Sequence, residues 1–150
     1  MPPRNPTIAE AQPHVPFPIQ APIYIPDGYE MDPHVSLLDG PHYGHEVKGV
    51  RFVLRKYTPS GYRNISINQF LAEGTFPTVQ TNIGDIIAWE IIDFGDFEAE
   101  VRQADTPEGP KVAVEWETEY KGKRIFYAVR SDLDFEETLE MVRSFQAIHR

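Results

Sequence analysis

The sequence predicts an α+β fold, in which an antiparallel meander sheet of about six or seven strands carries one C-terminal helix on one face. Two observations lead to this prediction. Segments in which apolar and polar residues alternate follow one another from residue 49 to residue 131, separated by short runs rich in Gly, Pro and Asp. One segment of helical periodicity then closes the chain. At 150 residues, the chain has the length of a single domain.

The chain opens with a proline-rich arm, residues 1–20. Seven of the 14 prolines lie within the first 22 residues. Because proline fixes φ and has no backbone N–H, we expect this arm to be extended and not helical. Its outer part is expected to be mobile, or docked on the domain through Val15, Phe17 and Ile19. Residues 21–150 then form the single α+β domain.

The strongest strand signal is a hairpin. The segment GVRFVLRKY (49–57) places Val50, Phe52 and Leu54 at every second position, so that they share one face of a strand. TPSG follows, with Pro and Gly at the positions that a type I turn favours. The next segment, YRNISINQF (62–70), again has apolar residues two apart. The pattern is typical of an antiparallel hairpin.

The segment DIIAWEIIDF (85–94) is apolar at both odd and even positions. Apolar residues on both faces are typical of a central strand that is covered on both sides. A second interpretation is that this strand forms the wall of a pocket for an apolar ligand such as a lipid chain.

Three more strands are predicted in meander order, at 97–103, 111–120 and 124–131. Within 111–120 the apolar residues share one face. Glu115 and the two glutamates that follow it at alternate positions share the other face, which we expect to be in contact with water.

The helix is predicted at the C-terminal end. Asp134 and Glu137 stand three residues apart, as in a capping box. Apolar residues then recur at helical spacing from Phe135 to Phe145, and this stripe is expected to pack on the sheet.

The composition excludes several classes of function. Lys and Arg number 14 against 23 Asp and Glu, a net charge of −9, and no stretch concentrates the basic residues, so nucleic acid is not expected as a partner. The chain has no cysteine, which excludes disulfides, thiol nucleophiles and zinc–thiolate sites. No run of 18 apolar residues predicts a membrane span in this chain. The first residues lack the apolar core of a signal peptide, so we expect either a cytoplasmic protein or a soluble piece without its leader or anchor.

Three of the five histidines, His34, His42 and His45, lie within twelve residues, close to Asp39. Together they could supply the three or four ligands that a zinc ion requires, but their spacing matches no closed zinc motif. We interpret the stretch as a polar loop. A small metal-dependent hydrolase centred on these histidines is kept as an alternative function.

No other catalytic constellation stands out. The chain lacks a Gly-x-Ser-x-Gly nucleophile elbow. The string DFG (93–95) occurs without the other kinase motifs and is interpreted as a strand end with Gly95 in the turn. We therefore predict a protein that is not an enzyme, and assign no catalytic, cofactor-binding or metal-binding residue.

Two stretches, 17–32 and 49–70, together with the end of the chain, resemble a bacterial domain family of unknown function. That family forms the extracytoplasmic C-terminal part of anti-sigma-factor-like membrane proteins and lipoproteins. The residues that carry the resemblance are Pro22, Pro26, Gly28, Tyr29, Tyr57, Gly61, Ile65, Ile67, Gln69, Trp116, Tyr127, Glu136, Glu137, Val142, Ser144 and Phe145.

The resemblance implies an α+β domain without known catalytic residues that acts in the periplasm or at the cell surface. More distantly, the chain is similar to periplasmic sigma-regulator and lipoprotein-carrier domains. We therefore predict a non-enzymatic extracytoplasmic binding or regulatory domain that recognises a protein partner or an apolar ligand. Besides the hydrolase, a second alternative is a structural assembly subunit that embraces a neighbour with its N-terminal arm.

Overall fold

The computed structural model describes residues 5–39, 47–72 and 83–147. In these ranges the chain forms two α-helices, α1 (Ile8–Ala11) and α2 (Phe135–Arg143), and a 3₁₀ turn, Gln12–His14. The strands are β1 (Gln20–Pro22), β2 (Glu30–Met31), β3 (Ser36–Asp39), β4 (Val47–Thr58), β5 (Gly61–Leu71), β6 (Ile86–Asp93), β7 (Glu98–Thr106), β8 (Gly109–Tyr120), β9 (Lys123–Ser131) and β10 (Phe145–Ala147).

The strands form one large antiparallel sheet and one small one. The large sheet has the order β2-β4-β5-β9-β8-β7-β6, and β3 pairs with β4 beside β2. Strands β6 to β9 are a meander that is joined to the β4–β5 hairpin through β9. This arrangement confirms the predicted class, a meander sheet with a C-terminal helix.

The core lies on one face of the large sheet, which we call the inner face. The alternating residues Phe52, Leu54 and Ile67 are buried there, as their spacing predicts. Helix α2 packs its apolar stripe into the same cluster, with Leu139, Met141 and Val142 buried. The N-cap of α2 is the predicted one, since Asp134 accepts a hydrogen bond of 2.8 Å from the N–H of Glu137.

The N-terminal arm is not wholly extended. Residues Ile8–Ala11 form a helical turn with a complete capping box, in which Thr7 and Glu10 exchange hydrogen bonds of 3.0 and 3.2 Å. The prediction that the arm is not helical was therefore wrong here. The physical reason is the placement of the prolines: Pro6 precedes the N-cap and Pro13 lies in the following 3₁₀ turn, so neither interrupts α1.

The arm docks on the core through its apolar residues. Val15, Phe17 and Ile19 are buried, as expected, and Ala11 joins them in the same cluster. The strand β1, at the end of the arm, pairs with β10, which follows α2.

Two glutamine side chains satisfy backbone groups of this arm. The amide of Gln12 donates to the Phe17 carbonyl and accepts from the Ile19 N–H, both at 2.8 Å. Gln69, fully buried on the inner face, accepts from the Gln20 N–H at 2.9 Å and donates to the Gln20 carbonyl at 2.5 Å. Since Pro16 and Pro18 cannot donate, side-chain amides take the place of a regular ladder.

The apolar strand β6 is the edge strand of the sheet within the described residues, and most of its residues are exposed. The prediction that it is a central, covered strand was wrong. The residue pattern was correctly read as a strand, but its position depends on β9, which pairs with β5 and leaves β6 at the end of the meander.

Replacing Gln69 with Met tests the amide clamp. The variant keeps the volume of the side chain but leaves the N–H and C=O of Gln20 without their partners. We expect the free energy of unfolding to fall by about 2 kcal/mol, and amide exchange of residues 20 and 21 to become faster. Urea denaturation and hydrogen exchange measure the two effects.

The matched control is Asn68→Leu, a polar-to-apolar change at the preceding residue, on the opposite face of β5. An equal loss of stability in both variants, or unchanged exchange of residues 20 and 21 in Gln69→Met, would contradict the clamp.

Candidate functional site

The histidine stretch gives no metal site in the described part of the chain. His42 and His45 lie outside the described residues. The ring Nδ1 of His34 is 2.7 Å from the carbonyl oxygen of Asn5, and its backbone N–H donates to Asp32 at 3.0 Å. Across residues 5–39, 47–72 and 83–147, no three His, Asp or Glu side chains are grouped as metal ligands would be. The hydrolase alternative is therefore untested at its centre.

The DFG string is a turn, as interpreted from the sequence. Gly95 has a φ of +97°, and its N–H donates to the Asp93 side chain at 2.8 Å. The backbone N–H of Phe94 bonds to the carbonyl of Phe97 at 2.9 Å and closes the β6–β7 hairpin.

Strand β6 exposes large apolar side chains. Ile87, Trp89 and Ile91 are 63, 57 and 57% exposed. They alternate along the strand, so they form a stripe on the outer face, the face opposite to the core. A contiguous exposed row of this kind is uncommon on a protein surface and marks a contact site more often than single exposed residues do.

One edge of the β6 backbone is not paired by any other described strand. On its opposite edge the strand pairs with β7. Because hydrogen-bonded and non-bonded pairs alternate from the Phe94–Phe97 pair onwards, the N–H and C=O groups of Trp89, Ile91 and Asp93 point away from β7. A bulge between Ile86 and Ala88 ends this regular edge.

Aromatic stacking fixes the end of β6. The rings of Phe94, Phe97, Trp116 and Tyr127 follow one another at centroid distances of 5.2, 4.9 and 5.1 Å, with interplanar angles of 23, 12 and 9°. Such contacts contribute about 0.5–1.5 kcal/mol each beyond area burial. The guanidinium of Arg143 on α2 lies 5.5 Å from the centre of the Phe94 ring. The edge strand is thus anchored to the core at its C-terminal end.

A cleft beside this stack has a volume of about 290 Å³. Its walls include Phe97, Trp116 and Tyr127, and Asp96 and Glu119 lie at its exposed rim. Pockets for small ligands typically measure about 300–1,000 Å³. The cleft is therefore at the lower limit of what an apolar small molecule requires.

A buried ion pair lies on the outer face next to β6. Glu115 is 7% exposed, and its Oε1 is 2.5 Å from Nη2 of Arg102, which lies opposite Trp89 in the sheet. Ile83 packs nearby on the outer-face residues Ala104 and Ala113. The expectation that this face of β8 is in contact with water was therefore wrong at Glu115, because the register places it beside Arg102.

Strand β6 lies in an acidic segment of the chain, although Arg102 of β7, which pairs with Glu115, stands opposite Trp89. The segment 83–101 holds six carboxylates and no Lys or Arg: Asp85, Glu90, Asp93, Asp96, Glu98 and Glu100. Charged residues within an apolar strand are typical of edge strands, where they oppose non-specific pairing. This signal was present in the sequence and could have indicated the position of β6.

Two buried tyrosines have raised pKa values. Burial raises the pKa of Tyr29, and its hydrogen bond of 2.9 Å to the Asp132 carboxylate adds to the effect. Burial also raises the pKa of Tyr127 in the aromatic stack. Ionisation of either phenol is thus less favourable in the folded chain than in the unfolded chain.

Comparison with known proteins adds no relative. No protein-family model matches the chain, and neither a curated protein nor a solved structure matches it. The resemblance stated from the sequence thus stays a prediction. Of the helices in the described ranges, none has the length and apolar character that a membrane crossing requires.

The raised pKa of Tyr29 predicts a specific alkaline loss of stability. Its contribution is complete below the ordinary tyrosine pKa of about 10 and is lost as the pH rises through the raised value. Tyr29→Phe cannot ionise, so between about pH 10 and the raised pKa we expect its unfolding free energy to fall less steeply than that of the wild type. At neutral pH the variant loses about 1 kcal/mol with its hydrogen bond.

Urea denaturation at a series of pH values measures both effects. Tyr57→Phe serves as the control, because Tyr57 is 74% exposed. The assignment is wrong if wild type and Tyr29→Phe show the same slope with pH.

Proposed function

We propose that the chain is a non-enzymatic binding domain that takes up an extended segment of a protein partner along the outer edge of β6. The observation that carries this proposal is the coincidence of two features on one strand. The apolar row Ile87, Trp89 and Ile91 is exposed, and the backbone groups beside it point away from the sheet. A partner strand satisfies both features at once, as in strand addition at a sheet edge.

The charge of the edge favours a basic partner over a second copy of this chain. Pairing of two β6 strands brings together two copies of the same acidic segment, each with Asp85, Glu90 and Asp93 and without Lys or Arg, and like charges on facing strands are destabilising. A segment with apolar residues at alternate positions and Lys or Arg between them meets the carboxylates around β6 with opposite charge.

The geometry favours a protein partner over an apolar small molecule. The aromatic cleft is about 290 Å³ in volume, whereas the β6 stripe is an open surface. The assembly role of the arm gains no support, because Val15, Phe17 and Ile19 are buried in the core of their own chain. Action outside the cytoplasm is part of the proposal and is supported by the sequence resemblance alone.

The test uses a synthetic nine-residue peptide of alternating Val and Lys. The chain has two tryptophans, of which Trp89 is exposed and Trp116 buried. We expect saturable shifts of the Trp89 indole N–H signal in the NMR spectrum of the wild-type protein, while the Trp116 signal stays in place. A Val/Glu peptide and a Val/Lys peptide with N-methylated backbone amides are expected not to bind.

A matched pair of variants locates the contact. Ile91→Lys places a cation within the stripe and is expected to weaken binding of the Val/Lys peptide by at least about tenfold. Tyr57→Lys makes the same kind of change at an exposed site on β4 and is expected to leave binding unchanged.

Three outcomes would overturn the proposal. Binding that survives N-methylation would show that no strand pairing takes place. Equal effects of both variants would remove the contact from β6. Concentration-dependent dimers in sedimentation that are lost in Ile91→Lys would show that a second copy, not a basic partner, occupies the edge.

A further inference from the structure

We infer that a second site, formed by other residues than those of β6, binds a phosphate group. The site is a groove between two hairpin tips. The groove lies between the β4–β5 turn and the start of β8 and has a volume of about 550 Å³. Its lining includes four cationic side chains, Arg51, Arg63, Lys111 and Arg130, in a chain whose net charge is −9. The lining carboxylates are those of Glu108 and Asp132.

The topology of the sheet opens this groove. β5 pairs with β9 only from Ser66 onwards, opposite Arg130, so residues 61–65 of β5 pair with β4 alone. The β4–β5 hairpin tip therefore extends beyond the end of β9, and the β7–β8 tip stands on the other side. Arg51, Arg63 and Arg130 reach the groove from three neighbouring strands, β4, β5 and β9.

These three arginines differ from the others in the described chain. Each of the remaining arginines has a partner: Arg55 pairs with Asp32, Arg102 with Glu115 and Arg124 with Glu117, and Arg143 lies over the Phe94 ring. Within the described ranges no ion pair involves Arg51, Arg63 or Arg130, although the chain has 23 carboxylates against 14 cations. Of the arginines that the structure describes, those without an ion pair or ring contact are thus gathered in one groove.

Each of the two lining carboxylates has a partner. Glu108 lies 3.8 Å from the ammonium of Lys111, which lines the same groove, and Asp132 accepts the hydrogen bond of Tyr29. The three arginines are therefore the cations of the groove that remain for a ligand. The polar side chains of Ser60, Asn64 and Ser66 add neutral donors to the lining. Planar guanidinium groups beside hydroxyl and amide groups offer many hydrogen-bond donors. A phosphate group, with its several oxygens, accepts more of these hydrogen bonds than a ligand with a single carboxylate does.

A small phosphate ester and an anionic phospholipid headgroup both carry a phosphate group that could bind here. The experiment distinguishes between these two ligands. The first probe is inorganic phosphate at constant ionic strength, since the charge of the chain makes any comparison sensitive to screening. We expect chemical-shift changes in residues 60–66 and 130–132 that saturate with phosphate and are not produced by chloride. The second probe is a vesicle of phosphatidic acid in phosphatidylcholine, compared with phosphatidylcholine alone.

The variants distinguish binding at a specific site from a general effect of positive charge. Arg130→Gln is expected to weaken phosphate binding by about tenfold or more, and Arg130→Lys by less, because it keeps the charge but not the planar fork. Arg124→Gln removes the same charge from an exposed position outside the groove and is expected to leave binding unchanged. Thermal unfolding without phosphate verifies that each variant is folded.

The result decides between the possible ligands. Binding of phosphate without vesicle binding supports a small phosphate ester, and Arg130-dependent vesicle binding supports a lipid headgroup. Absence of both, or equal losses in Arg130→Gln and Arg124→Gln, would overturn the inference. The peptide variants Ile91→Lys and Tyr57→Lys lie outside the groove, so this test is independent of the function proposed for β6.

Discussion

The whole structure depends on how a proline-rich segment is fastened to the core. The arm cannot form a regular ladder, because Pro16 and Pro18 have no backbone donor. The amides of Gln12 and Gln69 take over this function and hold Phe17 and Ile19 on the inner face. Helix α2 has only nine residues, so it covers the inner face together with the arm and not alone. Polar side chains thus satisfy the backbone of the arm where its apolar residues are buried.

The position of β9 beside β5 creates both candidate sites. Because β9 lies next to β5, strands β8, β7 and β6 follow in order away from the hairpin. Strand β6 is therefore the edge strand, and its apolar stripe is exposed. The same pairing stops at Ser66, and the gap beyond it is the arginine-lined groove. One long-range contact between strands therefore sets an apolar, acidic edge at one end of the sheet and a cationic groove further along it.

The sequence predicted the fold class because alternation is a local property. The period of Phe52 and Leu54 and the N-cap at Asp134 were read correctly. Helix α1 was missed because the number of prolines outweighed the capping box at Thr7, although the box was present in the sequence. Strand β6 was predicted as a strand, but apolar residues on both faces do not distinguish a covered strand from an exposed edge.

The sites themselves could not be predicted from local pattern. Arg51, Arg63 and Arg130 come together only through the pairing of β5 with β9, which joins residues about sixty positions apart in the chain. The buried Glu115 likewise depends on its register with Arg102. Trp89 can be assigned to a binding surface only when the edge position of β6 is known.

The β1–β10 pair has a mechanical consequence. Gln20 lies opposite Ala147, and Pro22 opposite Phe145, so the outer ends of the two short strands lie at the same end of the pair. A force that pulls Ala147 away from Gln20 would open this pair one rung at a time instead of shearing all its bonds together. The pair would thus separate from its outer end, whereas the arm before Gln20 stays held on the core by the buried side chains of Val15, Phe17 and Ile19.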